Sequence, residues 1–248
     1  MKEVSGRLDS RLAYAHLAGR QPGVVFLPGF RSDMQGSKAL ALREHCLATG
    51  RALLRFDYSG HGESAGRFED GTIGQWAADA IAVFDALTEG PQVLVGSSMG
   101  GWIALLLARA RPDRIAGLIG IAPAPDFTET LMWPEFTDAQ RAELMAKGVL
   151  YLPSQYGDPT PVTSALIEDG KLHNVLDAPI PLDCPVRILH GMQDPDVPWR
   201  HALRLVDALA GKDVRLHLIK DGDHRLSRPE DLALLAQTLD SLAGGLQG

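Results

Sequence analysis

Only two cysteines occur in the 248 residues, Cys46 and Cys184, far apart and in no CxxC pair. So few thiols exclude a disulfide framework and make a reducing compartment, the cytoplasm, the expected location. Long apolar runs are missing too. The longest, residues 102–108, falls far short of the roughly 20 residues a membrane-spanning helix needs, so no membrane insertion is expected. Residues 1–7 carry no apolar stretch behind Lys2, which predicts no signal peptide. Basic clusters are absent as well: 24 Lys and Arg lie scattered among 31 Asp and Glu, for a net charge of -7. That balance argues against nucleic acid as a partner, because a phosphate-binding face needs clustered cations. Neither a P-loop nor a convincing metal-ligand spacing is present, so neither cofactor nor metal is expected; the Asp221-Gly222-Asp223-His224 run is too short and isolated to make a metal site.

The chain does have a large apolar share, 45%, enough for one sizeable core and a single domain over residues 1–248. Short apolar runs at 24–27, 52–56, 92–95, 115–121, 186–189 and 214–219 are bounded by turn residues. Helical patterns lie between or after them at about 38–49, 72–87, 99–110, 200–210 and 229–242. Short runs of this kind suit strands buried on both faces. Their alternation with helices predicts an α/β fold, a mostly parallel, doubly wound sheet. Residues 8–17 are expected to add a leading antiparallel strand or two. Residues 123–181 break the rhythm, with many prolines, no clear strand and the apolar residues Phe127, Leu131, Met132, Trp133, Phe136, Leu150, Tyr151 and Tyr156. A helix is predicted to start at Thr137, where Thr137-Asp138-Ala139-Gln140 reads as a capping box. So long an insertion reads as a small helical lid or binding element, or as a second layer with its own core.

Gly96-Ser97-Ser98-Met99-Gly100 is the sharpest local signal. An apolar strand pattern precedes it and an apolar helix pattern follows, which is the setting a strained, exposed nucleophilic serine requires. Only Ser98 has Gly at both flanking positions, so Ser97 is read as a neighbour. A serine hydroxyl needs a base, and the base an orienting acid. In a strand-turn-helix setting of this kind they follow the serine in the order acid, then His, on loops after later strands. His224, in the turn after the last strand pattern, fits the base. His217 sits inside a strand pattern and is expected to be a packed core histidine; His201 falls in a helix, and His61 follows an earlier strand where it can line the pocket. Asp194 and Asp196 share one loop, and spacing does not choose between them. Backbone N–H groups of Met99 and Phe30 are the candidate oxyanion donors. The glycines of 57–66 resemble a dinucleotide loop but are spaced G-x-G-x-x-x-G and open no immediate helix, which speaks against NAD or FAD.

Taken together, LPGF at 27–30, DYSGHGES at 57–64, GSSMGG at 96–101, HGMQDPDVPW at 190–199 and DGDH at 221–224 resemble the α/β-hydrolase superfamily. Its HGxxDxxVP pattern implies that the acid is the first aspartate, Asp194. With the LPSQY stretch of the insertion, the match is similar to the palmitoyl-protein thioesterase branch that also cleaves acyl glucuronides. The resemblance implies hydrolysis of a small carboxylic ester or thioester, with an acylated protein as a further substrate. Leu131, Met132, Trp133 and Phe136 are candidates for holding an acyl chain, or for packing the insertion onto the sheet. Acyl transfer, amide or C–C hydrolysis, and ligand binding without turnover are the competing readings.

Overall fold

Backbone that buries both faces must find all its hydrogen bonds in neighbouring strands. The computed structural model describes residues 2–153 and 158–246, and in it the apolar runs form one twisted sheet. In chain order its first strands are β1 (Glu3–Leu8), β2 (Leu12–Leu17), β3 (Arg20–Leu27), β4 (Arg51–Phe56), β5 (Gln92–Ser97) and β6 (Ile115–Ile121). A separate two-stranded pair follows, β7 (Val149–Leu152) with β8 (Thr160–Thr163), and then β9 (Val186–Gly191) and β10 (Val214–Ile219) complete the main sheet. Its order is β1-β2-β4-β3-β5-β6-β9-β10. The six strands from β4 to β10 along that order pair parallel, while β1 and β2 add antiparallel at the β4 side. Strands β4, β5 and β9 are buried at every position, which explains why their apolar residues show no alternation.

The helices are α1 (Ser37–Thr49), α2 (Ile73–Leu87), α3 (Met99–Ala110), α4 (Trp133–Glu135), α5 (Asp138–Lys147), α6 (Ser164–Leu172), α7 (Trp199–Ala208) and α8 (Pro229–Gly245). They cover both faces of the sheet. Trp76 of α2, Trp102 and Ile103 of α3, and Leu205 of α7 share one core cluster. Leu42 and Cys46 of α1 join Leu235 and Leu239 of α8 in another. Each such fully buried side chain stabilises the fold by about 1.5–3 kcal/mol relative to exposure.

Between β6 and β9 the chain packs onto the α2–α3 face. Phe136, Leu144, Leu150, Val162, Leu166 and Ile167 belong to the same core cluster as the sheet. Helix α5 starts where the sequence predicts it: Thr137 Oγ1 accepts from Gln140 N, and Gln140 Oε1 accepts from Thr137 N at 2.9 Å. The β7–β8 pair and α6 were not legible in the sequence. Ser154, Gln155 and Tyr156 of the LPSQY stretch lie outside the described residues.

One expectation is corrected. His217 is not a core histidine: it is exposed on β10, which pairs with β9 at the end of the sheet order. An end strand is covered less on its faces, so Arg215, His217 and Leu218 reach solvent while Val214, Leu216 and Ile219 are half-buried. His217→Gln is therefore expected to change the unfolding free energy by less than about 0.5 kcal/mol in urea titration; a loss of the size typical of a core substitution would restore the core reading.

Candidate active site

Strand β5 ends at Ser97 and helix α3 begins at Met99, so Ser98 alone makes the turn. The turn forces it to φ 54°, ψ -119°, a left-handed conformation that a side chain adopts only at a cost of order 1–3 kcal/mol. The strain is held by hydrogen bonds: Ser98 N–H donates to Ile121 O at 2.9 Å, and Ser98 O accepts from Gly101 N at 2.9 Å and Ala124 N at 3.1 Å. The flanking glycines have steric reasons. A Cβ on Gly96 would lie 2.3 Å from Gly100 O, and one on Gly100 would lie 2.0 Å from Leu27 O.

Two later loops converge on Ser98. His224 Nε2 lies 3.1 Å from Ser98 Oγ, and His224 Nδ1 lies 2.8 Å from Asp194 Oδ2. The two loops are locked together, because Gln193 N donates to Gly222 O at 2.9 Å and a Cβ on Gly191 would stand 2.3 Å from that oxygen. Lys38 steadies the other side of the histidine loop, donating from Nζ to Arg225 O at 2.5 Å. Asp194, not Asp196, faces the imidazole; Asp196 lies on the exposed side and gives Asp194 Oδ1 its N–H at 2.9 Å. Val197 N donates to the same oxygen at 2.8 Å. Burial alone would raise the Asp194 pKa, but hydrogen bonds from His190 and His224 outweigh it and hold the carboxyl well below the usual carboxylate range. With an anion beside Nδ1, the ring keeps its proton there and turns the Nε2 lone pair to the serine.

His190 is the residue the sequence reading missed. Fully buried at the end of β9, it donates from Nε2 to Val197 O at 2.9 Å, with Asp194 Oδ2 at 3.4 Å. It braces the loop that carries the carboxylate. Its place at the head of the 190–199 motif was the available signal.

The loop after β3 runs beside the serine. A Cβ on Gly29 would be 3.3 Å from Ser98 Cβ, and Phe30 is the next residue. The Phe30 ring packs edge-on against Phe68 and Trp76, with centroids at 4.9 and 5.9 Å, and against Phe127 at 5.7 Å. Met99 supplies the first N–H of α3, a helix start that favours negative charge. Of the candidate acyl-chain residues, Leu131 and Met132 are half-buried against the main core. Trp133 is held between cations, Arg141 at 5.3 Å and Lys171 at 5.5 Å from its ring centre. Phe136 is buried and meets Trp133 at 5.9 Å, so packing accounts for it.

Among the described residues, Asp194, Asp196 and His224 bring donor atoms within 4.8 Å of one another. Both ring nitrogens of His224 are already engaged by Asp194 and Ser98. An ion would have to break one of those bonds.

His61 lies 3% exposed between the rings of Tyr58, Phe68 and Trp76. Burial pulls its pKa down to about 4, below the value near 6.5 of an unfolded chain. Between those two pH values the unfolded chain binds a proton that the folded chain refuses, so this histidine's contribution to stability is lost as pH falls. The stability gap between the parent and His61→Gln is expected to narrow from pH 7 to pH 4 in urea titrations; a gap that stays constant would rule out a buried neutral imidazole.

The family model described as serine aminopeptidase, S33, matches residues 20–165. The human palmitoyl-protein thioesterase ABHD10, mitochondrial, is 42% identical over 233 residues, covering 93% of this chain and 76% of that protein; the bovine protein of the same name gives the same figures. The structure of the mouse alpha/beta hydrolase domain-containing protein 10 superposes with a TM-score of 0.90 at 40% identity, covering 99% of this chain and all of that one. A crystal structure from Agrobacterium vitis S4 gives 0.91 at 44% identity over 98% of both chains. With this likeness on top of the parallel sheet and the serine turn, the chain belongs to the serine aminopeptidase S33 family of the α/β-hydrolase superfamily.

Proposed function

We propose that this hydrolase cleaves carboxylic esters or thioesters without a cofactor, through an acyl-enzyme on Ser98. The single observation that carries the reading is the hydrogen-bonded chain from Ser98 Oγ through His224 to Asp194, at 3.1 and 2.8 Å. As Oγ attacks the carbonyl carbon, its proton passes to His224 Nε2. Asp194 keeps the imidazolium oriented and balances its charge. The carbonyl oxygen becomes an anion held by the N–H groups of Phe30 and Met99, backbone donors of the kind that need no reorganisation during the step. Collapse expels the alcohol or thiol, which takes the proton from His224. Water then repeats the sequence with the same groups and frees the acid.

The relatives named palmitoyl-protein thioesterase support a thioester, and an acylated protein, among the substrates. Acyl glucuronides are the second substrate class, since they too join an activated carbonyl to a good leaving group. Residues 123–153 and 158–181 are the candidate lid, and Leu131 and Met132, half-buried against the main core, are the candidates to meet an acyl chain. A chain resting there gains about 0.8 kcal/mol per buried methylene, which sets a preference for longer acyl groups. The two free cysteines, one buried and one half-buried, suit a reducing compartment such as the cytoplasm.

Ser98→Ala is expected to abolish turnover of p-nitrophenyl and CoA esters and labelling by a fluorophosphonate, with circular dichroism unchanged. Esterase activity near that of the parent would sink the mechanism; a parent protein that forms no fluorophosphonate adduct at Ser98 would make the chain a binding protein. Asp194→Asn is expected to lower kcat by roughly 10⁴, as loss of the orienting acid does elsewhere. A decrease below about tenfold would assign the role to another carboxylate. In a series of acyl chains, kcat/KM is expected to rise by up to about fourfold per methylene until the cleft is full, following the transfer energy above.

A further inference from the structure

Residues 57–66, whose glycines imitate a dinucleotide loop, have no part in the hydrolytic chemistry, yet they are built with unusual care. Asp57 is 1% exposed; its Oδ1 accepts from Met34 N at 2.7 Å and its Oδ2 from Glu63 N at 2.9 Å. Gly62, at φ 47°, exists because a Cβ there would stand 2.2 Å from Asp57 Oδ2. Ser64 Oγ donates to Asp57 O at 2.6 Å and accepts from Ala13 N at 2.8 Å. His61, between these anchors, has both ring nitrogens committed. Nδ1 is 3.3 Å from Ser59 O, and a carbonyl can only accept, so the proton sits on Nδ1. Nε2 is left as a bare acceptor and faces Arg31 N–H at 3.3 Å. Ser59 is fixed in turn, its N–H and Oγ–H donating to buried Asp79 at 2.8 and 2.6 Å, with Arg11 3.0 Å from the same carboxylate.

Arg31 follows Phe30 and stands at φ 57°, a conformation a non-glycine residue keeps only when its surroundings impose it. Its guanidinium reaches outward to Asp158 O and Thr160 Oγ1, both at 2.9 Å. The turn from Phe30 to Met34 is thus tied to this motif at two N–H groups: Arg31 through His61, and Met34 through Asp57.

We propose that His61 is a positioning residue of the oxyanion hole: by accepting the Arg31 N–H on Nε2, it fixes the peptide after Phe30 and aims the Phe30 N–H at the developing oxyanion. This inference rests on the hydrolytic reading above. The motif acts as a mount for the donor. Loss of an oxyanion donor outright costs about a hundred- to a thousandfold in rate, and a donor left in place but misaimed costs less.

Two polar variants separate this role from simple packing. The Gln side chain of His61→Gln is long enough to put an acceptor where Nε2 stood; that of His61→Asn stops at the Nδ1 position and leaves Arg31 N–H unpaired. With both proteins folded by circular dichroism, His61→Asn is expected to lose about tenfold to a hundredfold in kcat, with KM within twofold of the parent. Its affinity for an alkyl boronic acid is expected to weaken by the same factor. That inhibitor forms a tetrahedral anion on Ser98 Oγ, whose proton passes to His224, and so reports the hole rather than the ground state. His61→Gln is expected to recover most of both losses. Equal behaviour of the two variants, an unchanged kcat in His61→Asn, or a loss confined to KM would overturn the proposal. So would a ¹⁵N spectrum of the parent placing the His61 proton on Nε2, a measurement that needs no variant to fold. Failure of the hydrolytic reading itself shows differently, as ester turnover that survives Ser98→Ala.

Discussion

The site depends on how closely helix α3 approaches strand β3. At Gly100 the two backbones leave no room for a side chain, since a Cβ would stand 2.0 Å from Leu27 O and 2.5 Å from Pro28 O. That contact presses the first turn of α3 against the loop carrying Gly29 and Phe30. It brings the start of α3 beside the loop after β3 although some seventy residues separate Phe30 from Met99. The strained Ser98 backbone follows from the same geometry, because a strand that turns into a helix within one residue has no relaxed conformation available. The cost is met by the surrounding sheet, whose central strands are buried at every position.

Much of this was written in the chain. The apolar runs of β3 to β6 and β9 were readable because strands covered on both faces need no alternation. Ser98 and His224 were readable because a strand-turn-helix serine and a post-strand histidine each have a steric logic that leaves a local trace. The choice between Asp194 and Asp196 had no such trace; it turns on which carboxylate points inward from one short loop, and that direction is set by the N–H groups of Asp196 and Val197 closing on Asp194 Oδ1. Strand β8 was hidden by Pro161, which cannot donate to a ladder. Helix α6 was hidden by Gly170, a poor helix former placed there because a Cβ would stand 2.3 Å from Thr128 Oγ1. His217 was misread although the alternation Val214, Arg215, Leu216, His217 already spelled a half-solvated strand.

Catalytic and structural glycines follow different rules here. Those around Ser98 and at Gly191 remove side chains so that backbones can touch, which brings loops from distant parts of the chain to one point. Gly60 and Gly62 have positive φ, 73° and 47°, and let a loop fold back over the Asp57 carboxylate and the Arg67 carbonyl. The resemblance of that loop to a nucleotide-binding turn is a resemblance of purpose, in that both curl backbone around an anion. Here the anion is the protein's own aspartate.

Strand β10 ends the sheet order, and it ends it in polar company. Arg215 and His217 are both exposed along it, and Arg215 lies 3.4 Å from Asp213. Another chain adding itself as a ninth strand would have to crowd past hydrated, charged side chains, a standard deterrent to sheet extension. Charged side chains along this end strand oppose its extension, and so work against edge-to-edge aggregation of a hydrolase with a strongly apolar interior.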